Sequence, residues 1–553
     1  MDRNTLVAFF LIALVLIFTP KYMEMVSPVP QNQAPDSSFF SQRNELDLVD
    51  QKVKKPAPPI KTITLDLATP NLSEETFTIE NELYIAEVSS VGGGTIKSFS
   101  IKEYFNGDSA FVNLVNKNNE LNLLLSGVDL DGQQINMSKP WTVSSGFFGG
   151  KINKQEVLSF SLNLGPGAEI TRTLVFDPST YVIEIQLRGQ GLRDFIFGDL
   201  SLGWFGGLPP TEENVEDDRS YFNSYVYQGG ELEDLKTKQG DSDQKQFNGS
   251  TDWTAVRTKY FIVAMVPETP DKIRSATLSS SYVEDENYNM VFSVDPSQDQ
   301  SFSLYLGPLE YEKIKAFGHE LDLVMDFGWA FVRPISKAVL FSLKKMHEYI
   351  PNYGFVLILF SIFVKILVFP LTKKSYQSTS AMQLIQPEVA AIKEKHASNP
   401  QKVNQLTMQL YKEKGVNPLG GCLPMMLQMP LLFALFIVFR TTIELRMEPF
   451  VWWIKDLSSP DIIFNLPFKV PIYGAHVAVL PMLMVVSMFI QQRMMSGGAA
   501  QQPQQKTMQY FMTGFFFLMF NTFPSGLNLY YTLFNVLTIL QQKLIPSNPS
   551  AVK

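Results

Sequence analysis

The chain has 553 residues, with 46 Lys+Arg against 54 Asp+Glu and a single cysteine. These values exclude a single small core, an intrachain disulfide framework, a Cys-rich zinc site and nucleic-acid binding driven by overall basicity. The charge is unevenly placed: residues 27–310 hold 22 Lys+Arg against 40 Asp+Glu, so an acidic block adjoins a basic, apolar remainder. His319, His347, His396 and His476 show no metal-ligand spacing, and nothing calls for a metal or a cofactor.

In chain order, residues 5–20 are uncharged and follow Arg3. No small-x-small cleavage site comes next but Lys21-Tyr-Met-Glu-Met25, whose long side chains snorkel to an interface, so residues 1–26 read as an uncleaved signal-anchor helix. Residues 27–61 are rich in Pro, Gln and Ser and read as a flexible linker. From 62 to 310 short alternating runs such as Tyr181-Val-Ile-Glu-Ile-Gln-Leu are punctuated by Gly, Asn, Asp and Pro, which predicts a large all-β domain of sandwich size. Its acidic clusters, Glu212-Glu-Asn-Val-Glu-Asp-Asp and Glu231-Leu-Glu-Asp, lack a calcium-loop pattern and read as solvated loops.

Residues 311–350 turn helical and amphipathic. Phe331, Ile335, Val339, Leu343 and Met346 share one face and Arg333, Lys337, Lys344 and Lys345 lie elsewhere, which predicts a helix in the membrane interface plane. Five apolar stretches follow within 351–545: 353–372, 423–439, 471–490, 508–523 and 526–541. Each approaches the ~20 residues that a hydrocarbon core requires, giving six spans with the anchor. The loop 373–419 has seven Lys against three Glu, and 491–506 has two bases and no acid, so both should be cytoplasmic. The loop 441–470 has three bases, four acids and the pair Trp452-Trp453, suited to the outer interface. Both termini then lie inside and the β domain outside. The basic helix on the outer side runs against the charge rule, which weakens after a long translocated domain.

Lys365 is the sole formal charge within 353–372. A lysine at membrane depth costs ~2.5–3.5 kcal/mol on insertion scales, so it snorkels or faces a partner or a wet cavity. Ser361 lies one turn away. Asn528, Tyr531, Asn535, Thr538 and Gln542 form a polar stripe on the last span; Ser487 with Gln491 marks the fourth and Gln428 the third. Such stripes either join helices or line a polar groove with one fixed cation. A Ser361/Lys365 hydrolytic dyad would lack oxyanion donors, and an ion-coupled transporter would lack intramembrane Asp and Glu. In the cytoplasmic loop, 383–395 and 402–414 flank the breaker Ala397-Ser-Asn-Pro400 and predict a helical hairpin. Its Lys393, Lys395, Lys402, Lys412 and Lys414 are candidates for lipid headgroups, a ribosome or an acidic partner, with solvated helix faces as the plain alternative.

Three motifs, Phe369-Pro-Leu-Thr-Lys-Lys374, Asn417-Pro-Leu-Gly-Gly-Cys-Leu-Pro-Met-Met-Leu-Gln-Met-Pro430 and Phe523-Pro-Ser-Gly-Leu-Asn-Leu-Tyr-Tyr531, closely resemble the YidC membrane-protein insertase family. The resemblance implies a multidomain membrane protein: a β-super-sandwich periplasmic domain, a core of five transmembrane helices besides the anchor, and a cytoplasmic hairpin. It implies insertion and folding of inner-membrane proteins, alone or with the Sec translocon, with no nucleotide hydrolysis. The partners it implies are nascent membrane proteins, membrane lipids, Sec components and the ribosome. The family's groove cation maps onto Lys365, where the family usually has Arg; lysine keeps the charge but loses the planar fork. Its groove hydroxyl maps onto Ser361 and its aromatic client contact onto Tyr531. The tail 546–553 carries one charged side chain, unlike the basic tails of some relatives.

Overall fold

Alternation in Glu156–Gly165 puts Leu158, Phe160 and Leu162 on one buried face, as a side-chain period of two requires. This strand pairs with Ala168–Phe176, which pairs with Val182–Gln190, and that in turn with Gln300–Pro308, all antiparallel. They belong to a nine-stranded sheet. A seven-stranded sheet containing Phe197–Trp204 and Glu286–Val294 lies across it, with Phe292 stacked on Phe302 at 5.6 Å between ring centroids. A five-stranded sheet, built around Tyr84–Ser89 and Thr95–Phe105, packs on the same face of the nine-stranded sheet, with Phe77 edge-on to Phe160 at 6.2 Å. The central strand Phe261–Pro267 is buried throughout, and Tyr104 of the five-stranded sheet meets its Phe261 edge-on at 5.8 Å.

The computed structural model describes residues 64–65, 72–107, 109–116, 122–282, 286–397, 399–416, 423–495 and 503–544. The expected anchor, the linker, Asn417–Cys422 of the glycine-rich motif and the tail lie outside them. Residues 61–497 and 516–553 make one compact unit, and 498–515 belong with 1–60 to another. The helices are α1 (Val215–Arg219), α2 (Tyr311–Phe317), α3 (Arg333–His347), α4 (Tyr353–Leu384), α5 (Gln386–Lys395), α6 (Pro400–Glu413), α7 (Leu423–Thr441), α8 (Leu480–Met495), α9 (Pro503–Phe520) and α10 (Ser525–Leu544). Among the described residues one window, Tyr353–Pro370 of α4, is long and apolar enough by length and composition to cross a membrane; Gln428–Thr441 and Tyr510–Phe520 are shorter apolar helices.

Three local readings change. The apolar run 471–490 is not one span: Ile462–Val470 and Gly474–Ala478 form an antiparallel ribbon, and helix begins only at Leu480. Pro467 and Pro471 interrupt any helix there, and Gly474 adopts φ +94° at the turn. The helix expected across 311–350 is split, because Gly318, at φ +86°, ends α2 and Pro334 opens α3. The buried face of α3 is Ser336, Val339, Leu340 and Leu343, whereas Phe331 is exposed.

The third change concerns the acidic run at 212–218. Glu231-Leu-Glu-Asp is largely exposed, but Glu212 and Asp217 join the β domain to the helical region, and Asp218 is buried within the β domain, where it accepts from the N–H groups of Thr211 and Lys259. Arg446 Nε donates to Glu212 Oε1 at 2.7 Å and its Nη1 donates to Phe105 O at 2.7 Å. Arg440, near the end of α7, pairs with Asp217 at 2.6 Å, and Lys259 reaches the same carboxylate at 2.8 Å. Burial would raise the Asp217 carboxyl, but Lys259 and Arg440 outweigh it and hold it below the ordinary range. Burial prevails at Glu212, which is raised against the pull of Arg446, and at Asp218, raised against the N–H groups of Thr211 and Lys259.

The basic helix α3 is charge-matched in the same way. Lys344 pairs with Glu310 at 2.9 Å and Glu444 at 3.2 Å, Lys337 with Asp322 at 3.4 Å, and Lys345 with Glu348 at 2.6 Å. Each of those cations thus has an acidic partner within the chain.

Candidate client groove

The last helix is fixed at its start by the Pro-Ser-Gly motif. Ser525 Oγ donates to Asp456 O at 2.6 Å and Gly526 N–H donates to Leu457 O at 3.0 Å. A Cβ on Gly526 would fall 2.9 Å from the Phe439 ring, so a side chain there would push α10 off α7. Thus anchored, α10 packs against α4, α7 and α8 and turns its polar side chains toward each.

Lys365, on α4, is only 8% exposed. Its Nζ donates to Thr538 Oγ1 on α10 and sits 3.8 Å from the centroid of the Phe534 ring. The ring's negative face and one hydroxyl thus replace part of the ammonium's hydration. Among the described residues no carboxylate pairs with it. Ser361, one turn away, is fully buried and donates to Leu357 O of its own helix at 2.7 Å, so it is not poised as a nucleophile.

The other expected residues divide between two seams. Asn535 Nδ2 donates to Ser487 Oγ at 3.1 Å, joining α10 to α8. Asn528 Nδ2 donates to Phe520 O at 3.1 Å and closes the turn between α9 and α10. Gln428 lies beside Tyr530 and Tyr531. The Tyr531 ring meets Phe520 edge-on at 6.1 Å and Tyr530 at 5.3 Å. Several buried polar atoms here, Asn528 Oδ1, Tyr531 OH, Gln428 Nε2 and Gln541 Oε1, have no hydrogen-bond partner among the described residues. Buried polar groups are usually satisfied, and Gln428 lies close enough to the two tyrosine hydroxyls to serve them, which leaves Asn528 Oδ1 and Gln541 Oε1 as the clearest open acceptors.

Phe534 escaped the sequence reading, since an aromatic in an apolar helix carries no mark of the cation above it. Gln541, which donates to Thr372 Oγ1 of α4 at 3.2 Å, was missed for its neighbour Gln542. Lys393, Lys395, Lys402 and Lys412 lie on α5 and α6 with Lys414 just beyond. Lys414 pairs with Glu388 of α5 at 3.0 Å.

The helical region, which among its described residues holds a buried lysine with no carboxylate partner, adjoins a β-rich domain. Two families match by sequence: the YidC periplasmic domain over residues 76–340 and the 60Kd inner membrane protein over 345–551. The membrane protein insertase YidC of Chloroherpeton thalassium is 35% identical, covering 98% of this chain and 95% of its own. That of Chlorobium luteolum is 36% identical, covering 100% and 96%. A solved structure, an active YidC insertase with its first transmembrane domain resolved, aligns with TM-score 0.35 and 16% identity over 86% of this chain and 93% of that one. The chain belongs to the YidC membrane-protein insertase family. It is an inner-membrane protein with a periplasmic β-rich domain and a helical membrane region.

Proposed function

We propose that this chain inserts nascent membrane proteins into the inner membrane through the seam between α4 and α10, and that it does so by binding and partitioning, without a covalent step. The observation that supports this most is Lys365: a buried ammonium satisfied by a ring face and a hydroxyl, with no carboxylate partner among the described residues. A short polar or acidic client segment offers the missing counter-charge, and the open acceptors on α10 can take over its hydrogen bonds. Lys365, Ser361, Gln428, Ser487, Asn528, Tyr531 and Asn535 are proposed to line the client path, joined by Phe534 and Thr538. The client's apolar segment then meets lipid along the exposed side chains of α4, and its burial drives completion.

In this reading five helices, α4 and α7–α10, span the bilayer beside an N-terminal anchor. Helices α5 and α6 form a cytoplasmic hairpin, and both termini lie inside. The hairpin lysines Lys393, Lys395, Lys402, Lys412 and Lys414 face anionic lipid or a ribosome, and Sec components join for some clients. The test is reconstitution of the full chain in liposomes with protease-protected client as readout. Lys365→Arg should retain insertion. Lys365→Ala should impair clients whose translocated tails carry Asp or Glu more than clients with neutral tails. If Lys365→Ala inserts both client types as well as the parent does, the groove assignment is wrong.

A further inference from the structure

The ribbon Ile462–Val470/Gly474–Ala478 is the least protein-like surface of the helical region. Its first strand is exposed almost throughout, yet it reads Ile-Ile-Phe-Asn-Leu-Pro-Phe-Lys-Val. Phe464 and Phe468 are 59% and 64% exposed, and Ile463 and Ile472 are also bare. Residues 462–478 carry one formal charge, Lys469. An isolated two-stranded ribbon is marginal in water, and one with apolar residues bare on both faces would be an aggregation site.

The ribbon is nevertheless rigidly held. Asp461 Oδ2 accepts from Val479 N–H at 3.0 Å, Leu480 N–H at 2.8 Å and Trp453 Nε1 at 2.9 Å, which clamps the ribbon's base to the start of α8. Asn521 Nδ2 donates to Tyr473 O at 2.8 Å and His476 O at 2.7 Å, while its Oδ1 accepts from Ala478 N–H at 3.1 Å. A projection fixed this firmly, with its apolar side chains left bare, is built to face something apolar.

We propose that this ribbon lies in the bilayer, at the boundary of headgroups and acyl chains, in the leaflet nearest the β domain. Continuity is the first argument. The ribbon runs directly into α8, whose Leu483, Val486 and Ile490 are exposed and apolar, so a single lipid-facing strip extends from the helix onto the strands. Charge placement is the second. Lys469 pairs with Glu216 of the β domain at 3.2 Å, both side chains well exposed, and this marks the aqueous side of the ribbon. The adjacent Trp452, 87% exposed, is the amphipathic residue expected at headgroup level. The backbone sets the depth: the unpaired edges of two strands cannot enter the hydrocarbon centre, where each unsatisfied group costs several kcal/mol. The ribbon therefore stays shallow, as interfacial elements do.

The test uses the full chain with Cys422→Ser and one new cysteine, Phe464→Cys or Phe468→Cys, bearing an environment-sensitive nitrobenzoxadiazole dye. Asp241→Cys, in the β domain, is the water-exposed control. In phosphatidylcholine/phosphatidylglycerol vesicles, lipids spin-labelled near the headgroup should quench the ribbon positions several-fold more than position 241. Lipids labelled near the acyl terminus should quench them less, and iodide should reach them several-fold less than it reaches 241. Equal iodide quenching at all three positions, with none by spin-labelled lipid, would overturn the proposal. So would iodide protection that persists in detergent together with crosslinking between chains, which would make a second copy the occupant. Either ribbon position alone suffices if the other variant fails to fold.

Discussion

Arg446 and Glu212 are 234 residues apart and form an ion pair at 2.7 Å in which the guanidinium side chain is only 1% exposed. Because Arg446 also donates to Phe105 O and Thr211 O, it supports a whole corner of the β domain from the membrane side. Removing one member of such a buried pair typically costs ~3–5 kcal/mol, since the other charge is left uncompensated. Arg446→Ala is therefore expected to lower the unfolding free energy of the purified full chain by about that amount and to open the junction to limited proteolysis. Arg446→Met combined with Glu212→Met should recover part of the loss. An unchanged transition in Arg446→Ala would show that the junction carries no energy.

Lys365 carries the opposite expectation for stability. A buried cation without a carboxylate costs desolvation, and replacing buried charge by a well-packed apolar side chain is often neutral or stabilising by ~1–4 kcal/mol. Lys365→Met should therefore raise the melting temperature in detergent while lowering insertion of acidic-tailed clients. A variant that loses both stability and insertion would mean that the lysine is structural.

Asn535 and Ser487 test the seam between α8 and α10. Interhelical polar pairs in membranes contribute ~0.6 kcal/mol on average and up to ~1.7. A double-mutant cycle of Asn535→Ala and Ser487→Ala should give a coupling energy within that range. A value of zero would mean that the 3.1 Å contact is replaced by water or lipid at no cost.

Asp295 gives the β domain an acid-side weakness. It accepts from the Ser297 hydroxyl at 2.7 Å and N–H at 2.9 Å, from Arg274 at 2.7 Å and from Arg193 at 2.8 Å. These partners, the Ser297 hydroxyl foremost, hold its carboxyl well below the usual range. A carboxyl depressed on folding contributes stability that is present above the unfolded value, about 4, and is lost as pH falls through the folded one. Thermal scans of the full chain from neutral to acid should show a shallower acid-side decline in Asp295→Asn, from a lower plateau at neutral pH. Parallel curves for the two proteins would rule the carboxyl out as the cause.

The proposed topology, which rests on loop charge, is open to labelling in intact cells. With Cys422→Ser as background, Asp241→Cys should react with an impermeant thiol reagent once the outer membrane is permeabilised, whereas Ser398→Cys should stay protected. Equal labelling would refute the arrangement with both termini inside.

The sequence by itself determined what short-range pattern can encode. Alternation with a period of two marked the β domain, and a single lysine in an apolar run marked Lys365 because every neighbour within a turn is uncharged. The breaker Asn399-Pro400 was equally plain: Asn399 accepts from Lys402 N–H at 3.1 Å and Pro400 occupies the first turn of α6. Tertiary structure decided the rest. Phe534 became the cation's seat, and Glu212 and Asp217 became half-buried partners of Arg446 and Arg440, through contacts spanning more than 150 residues. The run 471–490 divided into strand and helix because Asp461 and Asn521 hold the ribbon's base. Hydropathy alone cannot distinguish a buried span from a shallow ribbon, since both are apolar. The difference lies in where the backbone N–H and C=O groups find partners, and those partners are remote in sequence.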